Sequence, residues 1–325
     1  MKQKSIMLAL AASLLLSGCN MASISNSLKS QHYMATGDYQ QGVKTFAKSV
    51  RETPDNASGH YYLGRFLLAQ HKYDQALPHL KTAARLNPDE DYYFWQGLAY
   101  GQLGDNANEK KSYILALKLD SDHSQSRLYL GHLKLKENQY KEALQLYDSV
   151  LKQYPSNPSA LYNRGLTLQF LAKNVDEKNA WLKYLDLYPA GYLANRAADH
   201  LNSLGDFSYR NYYLGKRTVT LKEIRYSSRS SNQLSSTSYP SLKLIGAILV
   251  NRPEEILQVV VYENGNPSLA RKRANSIKTH LLDRFSEIEE HQIQVSWFQG
   301  PEKLKIGKKT FKIQSSVRFF GTGKA

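Results

Sequence analysis

The sequence predicts two folds in succession: an all-α superhelical solenoid, then an α+β domain with the element order β-α-β-α-β-β. Two observations predict this arrangement. Small and large residues recur about every 34 residues through the first part of the chain. After Gly205 the repeat stops, and apolar and polar residues begin to alternate as they do in strands. The chain has 325 residues, and 42% of them are hydrophobic, which is enough for two packed domains.

The first residues have the composition of an export signal. Lys2 and Lys4 precede an apolar run at residues 6–16, which is too short to span a membrane comfortably. The run ends in Leu16-Ser17-Gly18-Cys19, and Cys19 is the only cysteine of the chain. Because a lone cysteine cannot form an internal disulfide, it is a free thiol, an intermolecular bridge or a covalent anchor.

The segment that ends at Cys19 resembles the lipobox of bacterial lipoproteins, in which the cysteine is lipidated and becomes the mature N-terminus. The alternative is a small-residue cleavage site that happens to contain a cysteine. In that family an Asp after the cysteine commonly retains the protein at the inner membrane, whereas here Asn20 follows. The resemblance therefore implies a signal peptide at 1–18, a lipidated tether at 19–23, and an outer-membrane protein that faces the periplasm.

The repeat is a lattice of small residues, large residues and prolines. Four glycines fall 33, 34 and 34 residues apart, and a large residue follows each of them sixteen residues later. A small residue lets a second helix approach closely, the large side chain fills the wedge, and a proline ends the second helix. The lattice positions are Gly64, Gly97, Gly131 and Gly165, then Leu80, Tyr113, Tyr147 and Trp181, with alanines Ala76 and Ala143 and prolines Pro54, Pro88, Pro155 and Pro189.

This lattice resembles the tetratricopeptide repeat, a helix-turn-helix unit of about 34 residues. We count about five units from Ile24 to Ala190, of which the first is degenerate, within a predicted domain at 24–205. Glu109 and Glu177 stand where the family usually has alanine, so we expect less regular helix packing in the third and fifth units.

The same resemblance implies a curved stack whose concave face is lined by the first helix of each unit. The functional interpretation is an aromatic groove that binds a peptide or helix of another envelope protein, and the 23 tyrosines suit such a surface. The alternative is that these side chains cover neighbouring helices. The family pattern places the following residues on this face: Tyr61, Arg65, Phe94, Leu98, Leu128, His132, Tyr162 and Leu166.

Residues 206–325 are predicted to form the α+β domain, with helices on one face of a sheet. Their pattern comprises a strand at 218–226, a serine-rich loop at 227–238, an apolar helix from Pro240, a strand at 256–262, an amphipathic helix at 267–285, and strands at 292–298 and 311–320.

This element order, together with the segment from Ser268 to Ile277, resembles the OmpA-like domain that anchors proteins to peptidoglycan. In that family an Asp at a strand end and an Arg in a later helix bind the diaminopimelate of the stem peptide. Arg273 matches the Arg, but Asn264 falls where the Asp would be, and an amide cannot pair ionically with the ligand's ammonium. Two interpretations stay open: either Glu263 replaces the Asp and the site binds cell wall, or the domain keeps the fold without the ligand.

The charge of the chain is uneven and limits its partners. The net charge is +15, and residues 207–325 contribute +11 of it, with 20 Lys and Arg against 9 Asp and Glu. This favours acidic partners, while a periplasmic location excludes nucleic acid. The sequence has no His-Glu-x-x-His motif, no second cysteine and no Gly-x-Ser-x-Gly turn. We therefore expect no metal, no cofactor and no enzymatic activity.

The function predicted from these observations is an assembly scaffold. It would be an outer-membrane lipoprotein whose groove holds another envelope protein during assembly of a pilus, secretion or motility machine. The alternative is a structural anchor that links the outer membrane to peptidoglycan through the C-terminal domain. The Asn264 departure favours the scaffold.

Overall fold

The computed structural model describes residues 25–321 of the chain. The predicted signal peptide, the tether and the lipidation site Cys19 lie outside the described residues. The chain divides into two compact units between Pro155 and Ser156. Among the helices within residues 25–321, none combines the length and the apolar character needed to cross a membrane.

The first unit is a succession of helix pairs. Its helices are α1 (25–36), α2 (Tyr39–Glu52), α3 (Ala57–Ala69), α4 (Tyr73–Leu86), α5 (Glu90–Gln102), α6 (Asn106–Leu119), α7 (Ser124–Lys136) and α8 (Tyr140–Gln153). Within the pairs, α3 packs on α4, α5 on α6 and α7 on α8, and each pair also packs on the next. The helix pairs predicted from the 34-residue lattice are confirmed.

The start of each first helix is set by a cap. Asn56, Asp89 and Asn157 each accept a backbone N–H of the first helical turn through the side-chain oxygen. These caps satisfy donors that have no partner within the helix. They follow a lattice proline by one or two residues, so the same short segment ends one repeat and begins the next.

The turn between the two helices of a repeat contains one residue in the left-handed region, which favours glycine because a Cβ is strained there. These residues recur every 33 or 34 positions, and three of the six are not glycine. They are Gly37 (φ 70°), His71 (59°), Gly104 (80°), Asn138 (59°), Ala172 (53°) and Gly205 (83°).

The second unit begins with three further helices, α9 (Pro158–Phe170), α10 (Asn174–Leu187) and α11 (Tyr192–Ser203). The first two form a fifth helix pair. The third ends at the left-handed Gly205, in the register of a first helix, but it packs on strands rather than on a second helix. The change from helix to strand thus follows residue 205, whereas the division into compact units falls before the fifth pair.

The α+β part consists of two helices on a central sheet and two separate hairpins. Its elements are β1 (Tyr209–Leu214), β2 (Arg217–Lys222), α12 (Tyr239–Val250), β3 (Leu257–Glu263), α13 (Pro267–Arg284), β4 (Ile293–Phe298), β5 (Glu302–Ile306), β6 (Lys309–Ile313) and β7 (Ser315–Gly321). The central sheet has the order β4-β3-β7, with β3 parallel to β4 and antiparallel to β7. The strands β1 and β2 form one hairpin, and β5 and β6 form the other.

The α+β core joins the apolar sides of α12 and α13 to one face of the central sheet. Alternate residues of β3 point into this core, as the two-residue period of a strand requires. The fully buried members include Leu242, Ile245, Val259, Ala270, Ala274, Ile277 and Leu281.

The α+β order predicted from the sequence needs three corrections. The structure adds β1 before the first predicted strand and adds β5 before the last. The single strand predicted at 311–320 is two strands, because the chain breaks at Gln314. Before this break the chain pairs with β5, and after it with β3.

Candidate functional site

The glycine lattice fixes how close the paired helices lie. A Cβ added to Gly64 would lie 2.6 Å from Cγ of Leu80, which is closer than side chains tolerate. The other lattice glycines face the residue sixteen positions later in the same way, and all four of these large side chains are fully buried. The wedge predicted from the sequence is confirmed. The remaining pairs are Gly97 with Tyr113, Gly131 with Tyr147, and Gly165 with Trp181.

Each of the two glutamates that replace alanine accepts a hydrogen bond from the aromatic residue one turn later. Tyr113 donates its hydroxyl to Glu109 at 3.1 Å, and Trp181 donates Nε1 to Glu177, also at 3.1 Å. Burial raises the pKa of both carboxyl groups. The structure thus shows a matched hydrogen bond where the sequence suggested less regular packing. In the fourth repeat the alanine is kept, and the Tyr147 hydroxyl has no hydrogen-bond partner among residues 25–321.

An aromatic row begins on the first helices α3 and α5. The rings of Tyr61 and Tyr92 lie 4.6 Å apart between centroids. The Arg65 guanidinium lies 4.5 Å from the Trp95 ring centroid and 5.4 Å from that of Tyr61, so a cation is held between two aromatic faces. Within the described residues, the buried Nε of Arg65 has no hydrogen-bond partner. Burial raises the pKa of Tyr92 to about 12, which keeps its hydroxyl neutral.

The row continues through α5 and α7 to α8. Phe94 meets Tyr129 edge to face, with centroids 5.4 Å apart. His132 follows, 5.2 Å from Tyr129 and 5.8 Å from Tyr147. Burial lowers the pKa of His132 to about 4, so its imidazole is neutral at pH 7. We call the residues from Tyr61 to His132 described in these two paragraphs the aromatic row.

The residues predicted to line the groove divide into two groups. Tyr61, Phe94 and Tyr162 are only 6%, 3% and 7% exposed, so they pack between helices, as the alternative interpretation holds, and offer little open surface. The other five are half-buried and can contact a partner. They are Arg65, Leu98, Leu128, His132 and Leu166.

The sequence interpretation missed Trp95 and Tyr129, which complete the aromatic row. Both are half-buried and stand two residues before a lattice glycine, as Tyr62 does in the second repeat. An aromatic residue at this position in three successive repeats is a signal that the sequence contains.

Two of the three predicted cell-wall residues meet in the second unit. Arg273, which is 3% exposed, pairs with Glu263 and donates to Ser315 Oγ at 3.0 Å. It also donates to the backbone carbonyls of Ser228, Arg229 and Ser231 at 3.2, 2.7 and 2.9 Å. Its guanidinium lies 4.3 Å from the ring centroid of Tyr226. These bonds engage the donors of the guanidinium within the chain itself.

Asn264 is not part of this cluster of bonds. Its backbone N–H and its side-chain Nδ2 both donate to Gln314, at 2.8 and 2.7 Å. The structure therefore brings Glu263 and Arg273 together and assigns Asn264 to the junction between β6 and β7.

A second buried ion cluster was not predicted. Glu302 accepts from Arg210 at 2.8 Å, from Arg318 at 2.9 Å and from Ser316 at 2.7 Å. Although burial acts in the opposite direction, Arg210 and the Ser316 hydrogen bond lower the pKa of the Glu302 carboxyl. The cluster joins β5 to β1 and β7. Arg210 and Glu302 lie 92 residues apart in the sequence, so no local pattern predicts the cluster.

One constellation has the composition of a hydrolase triad. His123 lies 2.8 Å from Ser126 Oγ through Nδ1 and 3.3 Å from Asp91 through Nε2. Ser126 is fully buried, so its hydroxyl is out of reach of a substrate, and His123 also caps α7. We assign these residues to a link between α5 and α7. No three His, Cys, Asp or Glu side chains among residues 25–321 are grouped so as to hold a metal ion.

Comparison with known families decides the nature of the helical array. Residues 33–99 and 90–123 match models described as tetratricopeptide repeat, and residues 131–169 match a model described as TPR repeat. The helical array is built from tetratricopeptide repeats. This confirms the family predicted from the glycine lattice.

Solved tetratricopeptide-repeat structures share the fold. PilW, a widely conserved type IV pilus biogenesis factor, is 18% identical with a TM-score of 0.50, over 56% of this chain and 86% of that one. PilF of Pseudomonas aeruginosa is 16% identical with a TM-score of 0.50, over 58% of this chain and 90% of that one. At these identities the likeness shows the fold alone.

Curated relatives match about half of this chain or less. The tetratricopeptide repeat-containing protein trd-1 of Caenorhabditis elegans is 24% identical over 157 residues, which are 48% of this chain. The chain spans 20% of the length of that relative, and also 20% of the human protein O-mannosyl-transferase TMTC3, which is 23% identical over 184 residues.

Proposed function

We propose that this protein is a scaffold of the outer membrane, lipid-anchored through Cys19 and facing the periplasm. Its tetratricopeptide repeats hold a segment of another envelope protein during assembly of a surface machine. The aromatic row carries the proposal. Arg65 lies between two aromatic rings and is half-buried, and Leu98 and Leu128 on the following first helices are half-buried too. Arginine and aromatic residues dominate binding energy at protein interfaces, so a half-buried arginine flanked by aromatic rings fits a groove that binds a protein segment.

The fold likeness to PilW and PilF supports a machine of the pilus type within this proposal. Both proteins share the array of helix pairs, which is the part of this chain that carries the aromatic row. Under the proposal, residues 1–18 are removed on export and the array is presented to the periplasm from the membrane.

The proposal is tested by site-specific photo-cross-linking in cells that express the full-length protein. A photoreactive residue at Leu98 or Leu128 should join the protein to one envelope protein, which mass spectrometry then identifies. The control positions are Ile114 and Leu119 on the second helix α6, which are exposed but do not belong to a first helix. The same products from both helices, or none from either, would refute a specific groove. Arg65→Ala should weaken the cross-links at Leu98.

For the α+β domain we propose an OmpA-like fold without the family's ligand. The supporting observation is that Arg273 already binds Glu263, Ser315 and the loop at 228–231, so a stem peptide would have to displace these partners. The full chain should therefore bind purified sacculi weakly and in a salt-sensitive manner. Arg273→Ala should weaken this binding no more than Lys278→Ala does. Loss of a salt-resistant interaction in Arg273→Ala alone would make the cell-wall anchor the better function.

A further inference from the structure

The hairpin of β5 and β6 carries an unusual surplus of positive charge. Its five lysines are all exposed, and none of them forms an ion pair with any residue from 25 to 321. The single acid of the hairpin, Glu302, is buried and bound to Arg210 and Arg318. Elsewhere in the domain a lysine does form an ion pair, as Lys278 does with Glu290. The five are Lys303, Lys305, Lys308, Lys309 and Lys312.

The register of the hairpin places three of these lysines on one face. Lys303 lies directly opposite Lys312, and Lys305 lies opposite Thr310. Because side chains alternate along a strand, all four share the outer face. The other face carries the buried Glu302 and the apolar Leu304 and Phe311, and it is turned inward, since Phe311 packs on Phe207 with centroids 5.2 Å apart.

Two lysines directly opposite each other destabilise a hairpin, and here no acid offsets the repulsion. The ion cluster around Glu302 fixes the hairpin from its inner side and so holds this unfavourable face in place. This repulsion lowers the stability of the hairpin. A negatively charged surface that binds the exposed face would neutralise the lysines and remove the repulsion.

We propose that the outer face of the β5–β6 hairpin binds the surface of an anionic lipid membrane. The face is a flat array of ammonium groups, which interact as point charges with many headgroups and need no directional fit. It holds no aromatic side chain on which nucleic-acid bases would stack. Lys308 in the turn and Lys309 next to it bring the hairpin to five exposed lysines, which is within the four to eight cations that anionic leaflets attract. This contact is separate from the proposed lipid anchor and from the aromatic row.

The test uses the chain from residue 19 onward with Cys19→Ser, so that all described residues are present without an acyl group. Binding is measured by co-sedimentation with vesicles of phosphatidylglycerol and phosphatidylcholine, and with phosphatidylcholine alone. Neutralising Lys303, Lys305 and Lys312 to Gln should lower the affinity for anionic vesicles on the order of 100-fold, at about fivefold per lysine. High salt should abolish binding of the parent chain.

The matched control neutralises Lys44, Lys81 and Lys118, which are exposed lysines of the first unit. This control has the same net charge as the hairpin variant and should keep its affinity within about twofold. Equal losses in both variants would show that only net charge matters and would overturn the proposal. Binding to purified sacculi or to polyglutamate without binding to vesicles would overturn it as well, in favour of an acidic polymer. Circular dichroism checks that the hairpin variant is folded.

Discussion

At the scale of single residues, neighbouring repeats differ in whether the hydroxyl of the buried tyrosine has a hydrogen-bond partner. Tyr113 and Tyr147 fill the same wedge in the third and fourth repeats, and both are fully buried. Only the first has an acceptor, because Glu109 precedes it by one turn whereas Ala143 precedes the second. A buried polar group without a partner is costly, while a satisfied one adds modestly to stability.

We therefore predict opposite effects for the same substitution at the two tyrosines. Tyr113→Phe removes the hydrogen bond and leaves the Glu109 carboxyl without this donor. This loss should lower the free energy of unfolding by about 1–2 kcal/mol. Tyr147→Phe removes an unpaired hydroxyl from the core and should leave stability unchanged or raise it by up to about 1 kcal/mol. Hydrogen exchange of α6 and α8 measures both effects locally. Equal losses at both sites would contradict the hydrogen-bond assignment.

His132 gives the first unit a predicted sensitivity to acid. Its pKa is lowered from 6.5 to about 4 by burial, so the unfolded chain binds a proton at a pH where the folded chain does not. Stability should therefore be full above about pH 6.5, fall as the pH drops toward 4, and lose up to about 3 kcal/mol from this residue. His132→Phe should keep the contacts with Tyr129 and Tyr147 and lose less stability between pH 7 and pH 4.5. Hydrogen exchange of α7, measured at pH 7 and at pH 4.5, tests this prediction. If His132→Phe loses as much stability between the two pH values as the parent protein does, another group is responsible.

At the scale of elements, the turn after each first helix shows a second periodic feature besides the glycine lattice. The left-handed residue stands seven positions after each lattice glycine, and Ser30 and Ala198 occupy the corresponding small-residue position before Gly37 and Gly205. The lattice thus extends to both ends of the described helices. Three of these turns carry a Cβ that the conformation disfavours.

This strain predicts that Ala172→Gly stabilises the fifth repeat. The φ of Ala172 is 53°, and relief of its Cβ strain should exceed the entropic cost of glycine and raise the free energy of unfolding by up to about 1 kcal/mol. Gly104→Ala is the reciprocal change in the third repeat. A Cβ there meets nothing within 4 Å, so the expected loss of about 1–2 kcal/mol comes from the backbone alone. Urea unfolding measures both variants, and a loss of stability in Ala172→Gly would contradict the turn geometry.

The helix pairs could be predicted from the sequence because each wedge is local: a glycine and its large partner lie sixteen residues apart in one repeat. The hairpins could not be predicted equally well. In β5 and β6 polar residues, most of them lysines, share one face, so the hydrophobic signal of the two strands is weak. The Glu302 cluster that holds this hairpin depends on Arg210, far away in sequence, and follows only from the tertiary fold.

The candidate site was predictable in part for the same reason. The family pattern gives the helix faces of the array but not the depth of each side chain, so Tyr61 and Phe94 were assigned to an open surface although they are buried. In the α+β domain, the sequence leaves open whether Glu263 replaces the Asp at the strand end, and it does not predict that Glu263 pairs with Arg273. The loop carbonyls that complete the bonding of Arg273 lie more than forty residues away and carry no side-chain signal.

At the scale of the whole molecule, the repeats, the basic hairpin and the N-terminal cysteine serve three different contacts in the proposed function. Under these proposals, the aromatic row would engage a protein segment, the hairpin would engage headgroups, and Cys19 would hold an acyl anchor. Salt separates the last two contacts. Electrostatic binding to headgroups weakens as ions screen the lysines, whereas the insertion of acyl chains is hydrophobic and does not.

We accordingly predict that the full-length protein stays in the outer-membrane fraction after a wash at high salt, and that Cys19→Ser does not. Several acyl chains on one residue hold a protein firmly, because each buried methylene contributes roughly 0.8 kcal/mol. The variant should appear in the soluble periplasmic fraction or remain unprocessed, and radiolabelled palmitate should mark only the parent protein. The control is the variant in which Lys303, Lys305 and Lys312 are replaced by Gln. It should still be retained in the outer-membrane fraction and labelled by palmitate. Retention of Cys19→Ser at high salt, together with no palmitate in the parent protein, would show that the anchor is not a lipid on this cysteine.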